Sequence, residues 1–447
     1  MKQFILEKSD ADIISHGGLS LIGLAIKKYT NLTNSIDKLI PLRHGTKHSD
    51  IIKIYTALLC IGKNDFEAIN TIESEYYFTH AMDVQEIPSE STLRQRMDTY
   101  AKSFLPIVEK ANLDFLINIK PELTPIYTGH RPLDVDVTPM DNSGSKKEGV
   151  SRTYKGHDGY APMPAYLGQE GYCIKFELRE GKQHCQSGTP EFLKDALKSA
   201  QKITNQPILL RLDSGNDAIE NIDVILDHNA NNAEKNDVDF LIKWNPRKQN
   251  KDEWLKFADE QNTWTYPREG KRVSLFRIEE ERVWRGHTYK IQRVMQVIER
   301  SIDKFGQYIL IPEIEIQGWW TSLLLSDEEI IQLYCDHGTS EQFHSEFKTD
   351  MDIERLPSGK FDTNALVLGC SMLAYNILRW IGQNGLLGPD SPKRKKAKRR
   401  RIKTVIQELM YVAVRIIKSS RRIKLAFGRY NVNFIIFEKL HRKLLMN

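Results

Sequence analysis

Apolar positions along the chain change period, and the change divides it. Over residues 1–125 they recur at helical spacing. Ile51, Ile52, Tyr55, Leu58 and Leu59 follow Ser49, a residue type that caps helix starts. Phe66, Ile69, Ile72 and Tyr76 continue the pattern after Asn64 and Asp65, and Ser89-Glu90-Ser91-Thr92-Leu93-Arg94-Gln95-Arg96 opens a further helix. Two helices across a short turn, the second presenting Arg94, could dock in a major groove; a plain helical bundle fits the same pattern.

From Pro132 the period becomes two. Leu133-Asp134-Val135-Asp136-Val137 alternates strictly, and residues 163–167 and 172–178 read as two more strands, with Gly168 and Gly171 at the turn. A helix over 190–203, a strand over 208–213, a helix over 219–227 and a strand over 238–242 follow. Three strands in a row and then strands alternating with helices predict an α/β class fold with a ribonuclease-H-like (RNase-H-like) mixed sheet. Six of the seven tryptophans, Trp244, Trp254, Trp264, Trp284, Trp319 and Trp320, fall in a stretch rich in β-type residues, read as an inserted β subdomain. Helices resume at Ser326-Asp327-Glu328-Glu329, a capping box, and at Thr339-Ser340-Glu341-Gln342. The expected organisation is a helical region over 1–125, a core over 126–243, a β-rich insertion over 244–320, the rest of the core over 321–387 and a basic helical region over 388–447.

Charge sharpens the last boundary. Residues 388–447 hold 18 Lys and Arg against three acids, a local +15, whereas the first 387 carry 46 basic and 56 acidic residues, a net of −10. The run 393–403 (KRKKAKRRRIK) holds nine basic residues, including Lys393, Arg394, Lys395 and Lys396. Such a run is often only a solvated tether, yet a basic end on an acidic body commonly contacts a polyanion, nucleic acid foremost. The apolar stretch 364–382 contains Asn364, Ser371, Asn376 and Arg379, so it reads as a buried core helix and not a membrane span. Five scattered cysteines without a C-x-x-C, and an N-terminus that turns acidic early, point to a reducing cytoplasm without export.

Candidate chemistry lies in the acids. Asp134 and Asp136 share one face of their strand, where a bound cation would relieve their repulsion. Asp213 ends an apolar strand, the end at which α/β sheets place ligands, and Glu341 lies in the first turn of a helix. Oxygen-only ligands suit Mg²⁺ or Mn²⁺. Two such ions about 3.5–4 Å apart clamp the attacking and leaving oxygens of phosphodiester displacement.

The segments LDVDVTPMDNSGSKKEGVSRTYKGHDGYAPMPAYLG, LLRLDSGNDA and YCDHGTSEQFHSEFK together resemble the DDE transposases of bacterial insertion sequences, in the branch with a β insertion before the catalytic Glu. The resemblance implies Asp136 (two residues before Thr138), Asp213 and Glu341 as catalytic and metal-binding residues, with two Mg²⁺ ions. The family's Tyr-Arg-Glu-Lys helical signature falls on Tyr334, His337, Glu341 and Lys348, with His337 in place of Arg. In the family the Arg and Lys hold DNA phosphates, and an aromatic ring of the insertion stacks on a flipped base, for which Trp319 and Trp320 are candidates. Implied partners are double-stranded DNA, as terminal inverted repeats and target, and a second copy in a synaptic homodimer. Lys146, Lys147, Arg152 and Lys155 could line the DNA path. The competing readings are a transposase-derived DNA-binding protein without catalysis, motivated by His337, and a nuclease without strand transfer.

Overall fold

The computed structural model describes residues 3–232, 238–393, 395–419 and 422–446. The N-terminal region is helical as expected, with α1 (Leu19–Tyr29), α2 (His48–Cys60) and α3 (Glu90–Ile119) its longest helices. Ser89 caps α3, its hydroxyl accepting from the Thr92 N–H at 3.2 Å. Ser49 is not a cap: α2 starts one residue earlier, and the Ser49 hydroxyl donates to Asp37 at 2.9 Å. Arg94 sits on the exposed first turns of α3, ion-paired at 3.0 Å with Glu90.

Three strands follow, β1 (Arg131–Val135), β2 (Met163–Leu167) and β3 (Tyr172–Glu177), then α4 (Thr189–Ile203), β4 (Ile208–Leu212), α5 (Ile219–Asn231) and β5 (Val238–Trp244). Strands β1, β4 and β5 are parallel neighbours; β2 and β3 add antiparallel on the β1 side. Residues 132–135 and 208–212 are buried throughout, as expected of central parallel strands.

The segment expected to form a subdomain of its own instead lengthens this sheet. After α6 (Lys251–Gln261), strands β6 (Trp264–Arg268), β7 (Lys271–Trp284), β8 (His287–Ile302) and β9 (Tyr308–Thr321) form a meander whose last strand pairs antiparallel with β5. The order is β6-β7-β8-β9-β5-β4-β1-β2-β3, nine strands among the described residues. The open edge of β5 offers unpaired backbone groups, and β9 satisfies them. Sequence periodicity identifies the strands but not where they dock.

Beyond the insertion lie α7 (Asp327–Cys335), with the Ser326–Glu329 capping box in place, α8 (Ser340–Ser345) and α9 (Phe361–Gly385). Helix α9 is the central pillar. It packs on α2 and α3 and on β3, so the N-terminal helices share its core. Its buried amides and hydroxyl find partners: Asn376 accepts from the Cys173 N–H (2.9 Å) and donates to Asn112 (2.7 Å), Asn364 donates to the Ser358 carbonyl (2.9 Å), and Ser371 to that of Leu368 (2.8 Å). Arg379 is ion-paired with the fully buried Glu346. These partners make the apolar helix a protein core element.

The C-terminal region departs from the expected run of helices. A helical stretch over 402–410 gives way to a hairpin of β10 (Val414–Ser419) and β11 (Arg422–Phe427), with the short strand Ile13–Ile14 beside β10; only α10 (Phe434–Leu445) is a long helix. Val414 and Ile416 are buried while Arg415 and Ile417 are exposed, a period of two that β-branched residues favour. The density of Lys and Arg masked that alternation.

Candidate active site

The hydrogen-bonded ladder through β1, β4 and β5 ends on one row, Val135 opposite Leu212 and Leu212 opposite Ile242. Asp136 and Asp213 are the next residues on the first two strands. Their Cα positions are therefore neighbours at the carboxyl edge of the sheet, where strands lie about 4.8 Å apart. Both are half-buried. Asp213 caps the turn that follows it, accepting from the Gly215 N–H (3.2 Å) and the Asn216 amide (2.8 Å). Two tyrosines register the shared negative charge. The Tyr154 phenol is pushed up to about 12 by desolvation first, then by Asp136 and Asp213. Tyr334 is raised further, again by burial first and then by Asp213 and Asp136.

Asp134, which alternation placed on the same face as Asp136, has a different task. It is register partner to Arg211 on β4 and takes that guanidinium in two bonds, 2.6 and 2.8 Å, with both residues 2% exposed. Arg211 also donates to the Leu333 carbonyl at 2.9 Å, tying α7 to the sheet. The buried pair lies on the face of Asp136 and Asp213, two residues back along each strand. Arg211 went unnoticed in the sequence, although an Arg in an otherwise apolar strand is a signal in itself.

The third acid stands apart. Among the described residues no group of three or more His, Cys, Asp and Glu side chains is gathered to hold a metal ion. Glu341 lies on the exposed side of α8. The signature expected on one helix is split: Tyr334 lies in the last turn of α7, a 3₁₀ turn spans Asp336–Thr339, Glu341 lies in the first turn of α8, and Lys348 falls in a π-helical stretch, Glu346–Asp350. The 3₁₀ turn shifts the angular phase between Tyr334 and Glu341, and the π stretch shifts it between Glu341 and Lys348, so seven-residue spacing no longer sets the three on one face. Lys348 points inward to the Pro139 carbonyl in the loop that follows Asp136, 3.7 Å from Glu354. Burial lowers its pKa first, with Glu354 and Asp136 opposing. His337 belongs to the 3₁₀ turn, and its side chain lies outside the described positions, as does Arg394.

The segment bearing Glu341 is held from several sides. Phe343 sits against Tyr166 (5.0 Å between rings), and Arg379 clasps Glu346. From the basic run, Arg399 donates to Gln342 (2.9 Å) and Arg401 grips Asp350 in two bonds of 2.8 and 2.9 Å. Part of that run is thus a structural clamp and not a solvated tether. Lys393 pairs with Glu408, while Lys395 and Lys396 remain exposed. Gly171, between β2 and β3, has φ +73°, and a Cβ there would lie 2.2 Å from the Phe343 ring. Gly171→Ala should cost about 1–3 kcal/mol in denaturant melts, from backbone strain and overpacking together, and lower activity by displacing α8.

The tryptophans expected to meet a base are buried, Trp319 at 1% and Trp320 at 6% exposure. The Lys243 ammonium lies 3.9 Å from the Trp319 ring centre, and the Arg293 guanidinium 4.6 Å from that of Trp320. A base could stack on Trp319 only after rearrangement; Trp320 borders an open cleft together with Trp244 and Trp254. The cleft is stitched to the acidic edge through Asp217, which accepts from the Trp320 indole N–H and from the Asn245 N–H, each at 2.9 Å. Asp217 was missed because only the return of β9 to β5 brings these residues together. Of the loop cations, Lys147 is tied to the Leu356 carbonyl and Arg152 lies 3.7 Å from Asp158, while Lys146 and Lys155 are exposed.

The donor set at the sheet edge, carboxylate oxygens from two adjacent strands, suits a hard divalent cation, for which Asp136 and Asp213 would be the ligands. No curated protein sequence matches the chain. Among solved structures it is similar to a piggyBac transposase in a synaptic complex with hairpin DNA, at 11% identity over 97% of this chain and 82% of that one; the TM-score of 0.40 is too low to carry an argument. The profile of the family described as "Transposase DDE domain group 1" matches residues 2–446, and the chain therefore belongs to this family of DDE transposases.

Proposed function

We propose that the protein cuts DNA at the ends of a bacterial insertion sequence and joins those ends to target DNA, in a cut-and-paste reaction dependent on Mg²⁺ and served by an RNase-H-like core. The observation that carries this reading is the juxtaposition of Asp136 and Asp213 at the carboxyl edge of the parallel strands, in a chain that belongs to the DDE transposases. Divalent ions bound there would acidify a water and stabilise the leaving 3′ oxygen. The chain's own contribution is positional. Asp136 and Asp213 would hold the cations, the Asp134–Arg211 pair keeps the two strands level beneath them, and Tyr334 closes the side facing α7. Glu341 would complete the ligand set, and the Arg399 and Arg401 contacts hold the segment that bears it. Lys395, Lys396, Lys155 and Arg94 are exposed cations suited to DNA phosphates, and a homodimer would place one site on each end.

A second reading, end binding without catalysis, draws on Glu341 lying outside the acidic pair and on His337 in place of Arg. One assay separates them. A labelled duplex carrying the inverted repeat that brackets this reading frame, incubated with the full chain, should be nicked at the repeat boundary with Mg²⁺ or Mn²⁺ and left whole with EDTA. Retarded but uncut duplex in both metals would favour the second reading.

A further inference from the structure

The row that places Asp136 beside Asp213 has a third member. Leu212 is opposite Ile242, so the next residue on β5 is Lys243, level with the two carboxylates across three adjacent parallel strands. Alternation puts it on the face of Arg211, two rows back, which reaches α7 through the Leu333 carbonyl. Lys243 faces α7 as well. Its ammonium lies 3.9 Å from the centre of Trp319, its register partner on β9, and 5.4 Å from that of Tyr334, the residue whose phenol feels both Asp213 and Asp136.

Resting on the reading proposed above, we infer that Lys243 is a substrate-binding residue that holds a phosphate oxygen of the DNA strand lying across Asp136 and Asp213, next to the cut. A lysine serving only to neutralise the interior would be ion-paired, as Arg211 is. Lys243 makes no ion pair among the described residues, and its acceptor is the neutral amide oxygen of Gln317. Two aromatic faces hold it upright without cancelling its charge. A DNA strand brings further negative charge to the acidic edge, and Lys348, the cation that the family signature supplies, is turned to the Pro139 carbonyl. Lys243 therefore puts positive charge on the third strand, where a backbone leaving the acidic pair toward the insertion must pass. Burial also brings its pKa down to about 8, with Cys335 on α7 and Glu315 on β9 opposing. Among the described residues, the Tyr334 ring on α7 also lies beside it.

The test compares Lys243→Arg and Lys243→Met with the wild type in the duplex nicking assay at pH 7.5, alongside mobility-shift binding and thermal melting. Lys243→Met should bind the duplex and melt close to wild type yet nick roughly tenfold to a hundredfold more slowly at pH 7.5, the loss expected for one hydrogen bond to a charged group. Lys243→Arg, which keeps a cation able to hold the same phosphate oxygen, should nick within a few-fold of wild type. Nicking by Lys243→Met within twofold of wild type overturns the inference. Lys243→Arg that binds and melts like wild type yet nicks more than tenfold more slowly overturns it too, even if the Met variant fails to fold. Asp213→Asn is the control. If it still nicks, the acidic site itself is misassigned; if it is inactive while Lys243→Met is intact, the inference about Lys243 alone fails.

Discussion

Asp136→Asn and Asp213→Asn should each reduce strand nicking by on the order of a thousandfold or more while leaving the melting temperature nearly unchanged, because removal of one essential member of a catalytic group forfeits most of what the group supplies. The amide keeps the size of the carboxylate, and in Asp213→Asn the retained oxygen can still accept from the Gly215 N–H and the Asn216 amide. Only the negative charge is lost, and that charge is what a divalent ion needs. Both residues are half-buried at the sheet edge, so little packing depends on them. End binding in a mobility shift should persist, since the exposed cations are untouched. Nicking at wild-type rate by either variant would dismiss the proposed site.

Asp134→Ala, two residues away on the same strand, should do the opposite and unfold the protein readily. The substitution leaves the Arg211 guanidinium 2% exposed without its carboxylate, and an uncompensated buried charge costs about 3–5 kcal/mol. That is a large part of the stability of a typical domain. Replacing both partners together, as Asp134→Leu with Arg211→Met, should recover much of the loss, because an apolar pair of similar volume needs no solvation. Denaturant melts of the single and double variants give the coupling directly, and a mild single variant would show that water reaches Arg211.

The two aspartates illustrate where reading from residue order stops. Alternation assigns Asp134 and Asp136 to one face and cannot separate them; the resemblance selected Asp136, and the structure supplies a reason they differ. Asp134 lies inside the ladder opposite Arg211, and Asp136 lies one residue beyond its end. A similar limit applies to Glu341. Its spacing from Tyr334 and Lys348 reads as one helix, but the 3₁₀ and π turns on either side of α8 reset the phase and leave Glu341 facing outward. Composition misled in the C-terminal region, where nearness of basic residues hid a two-residue alternation, and it undervalued Arg399 and Arg401, which act as clamps.

Local order along the chain determined the elements of the central sheet, the capped starts of α3 and α7, the buried character of α9 and the family motifs, because backbone periodicity, caps and short motifs are properties of neighbouring residues. Tertiary structure alone decided that the insertion joins the sheet at β5, that Asp217 ties it to the acidic edge, that Trp319 and Trp320 are covered by cations, and that Lys243 stands level with Asp136 and Asp213. Each of those depends on strand register and on side chains meeting across tens to hundreds of residues, and no local pattern encodes which distant partner a strand edge or a buried charge will find.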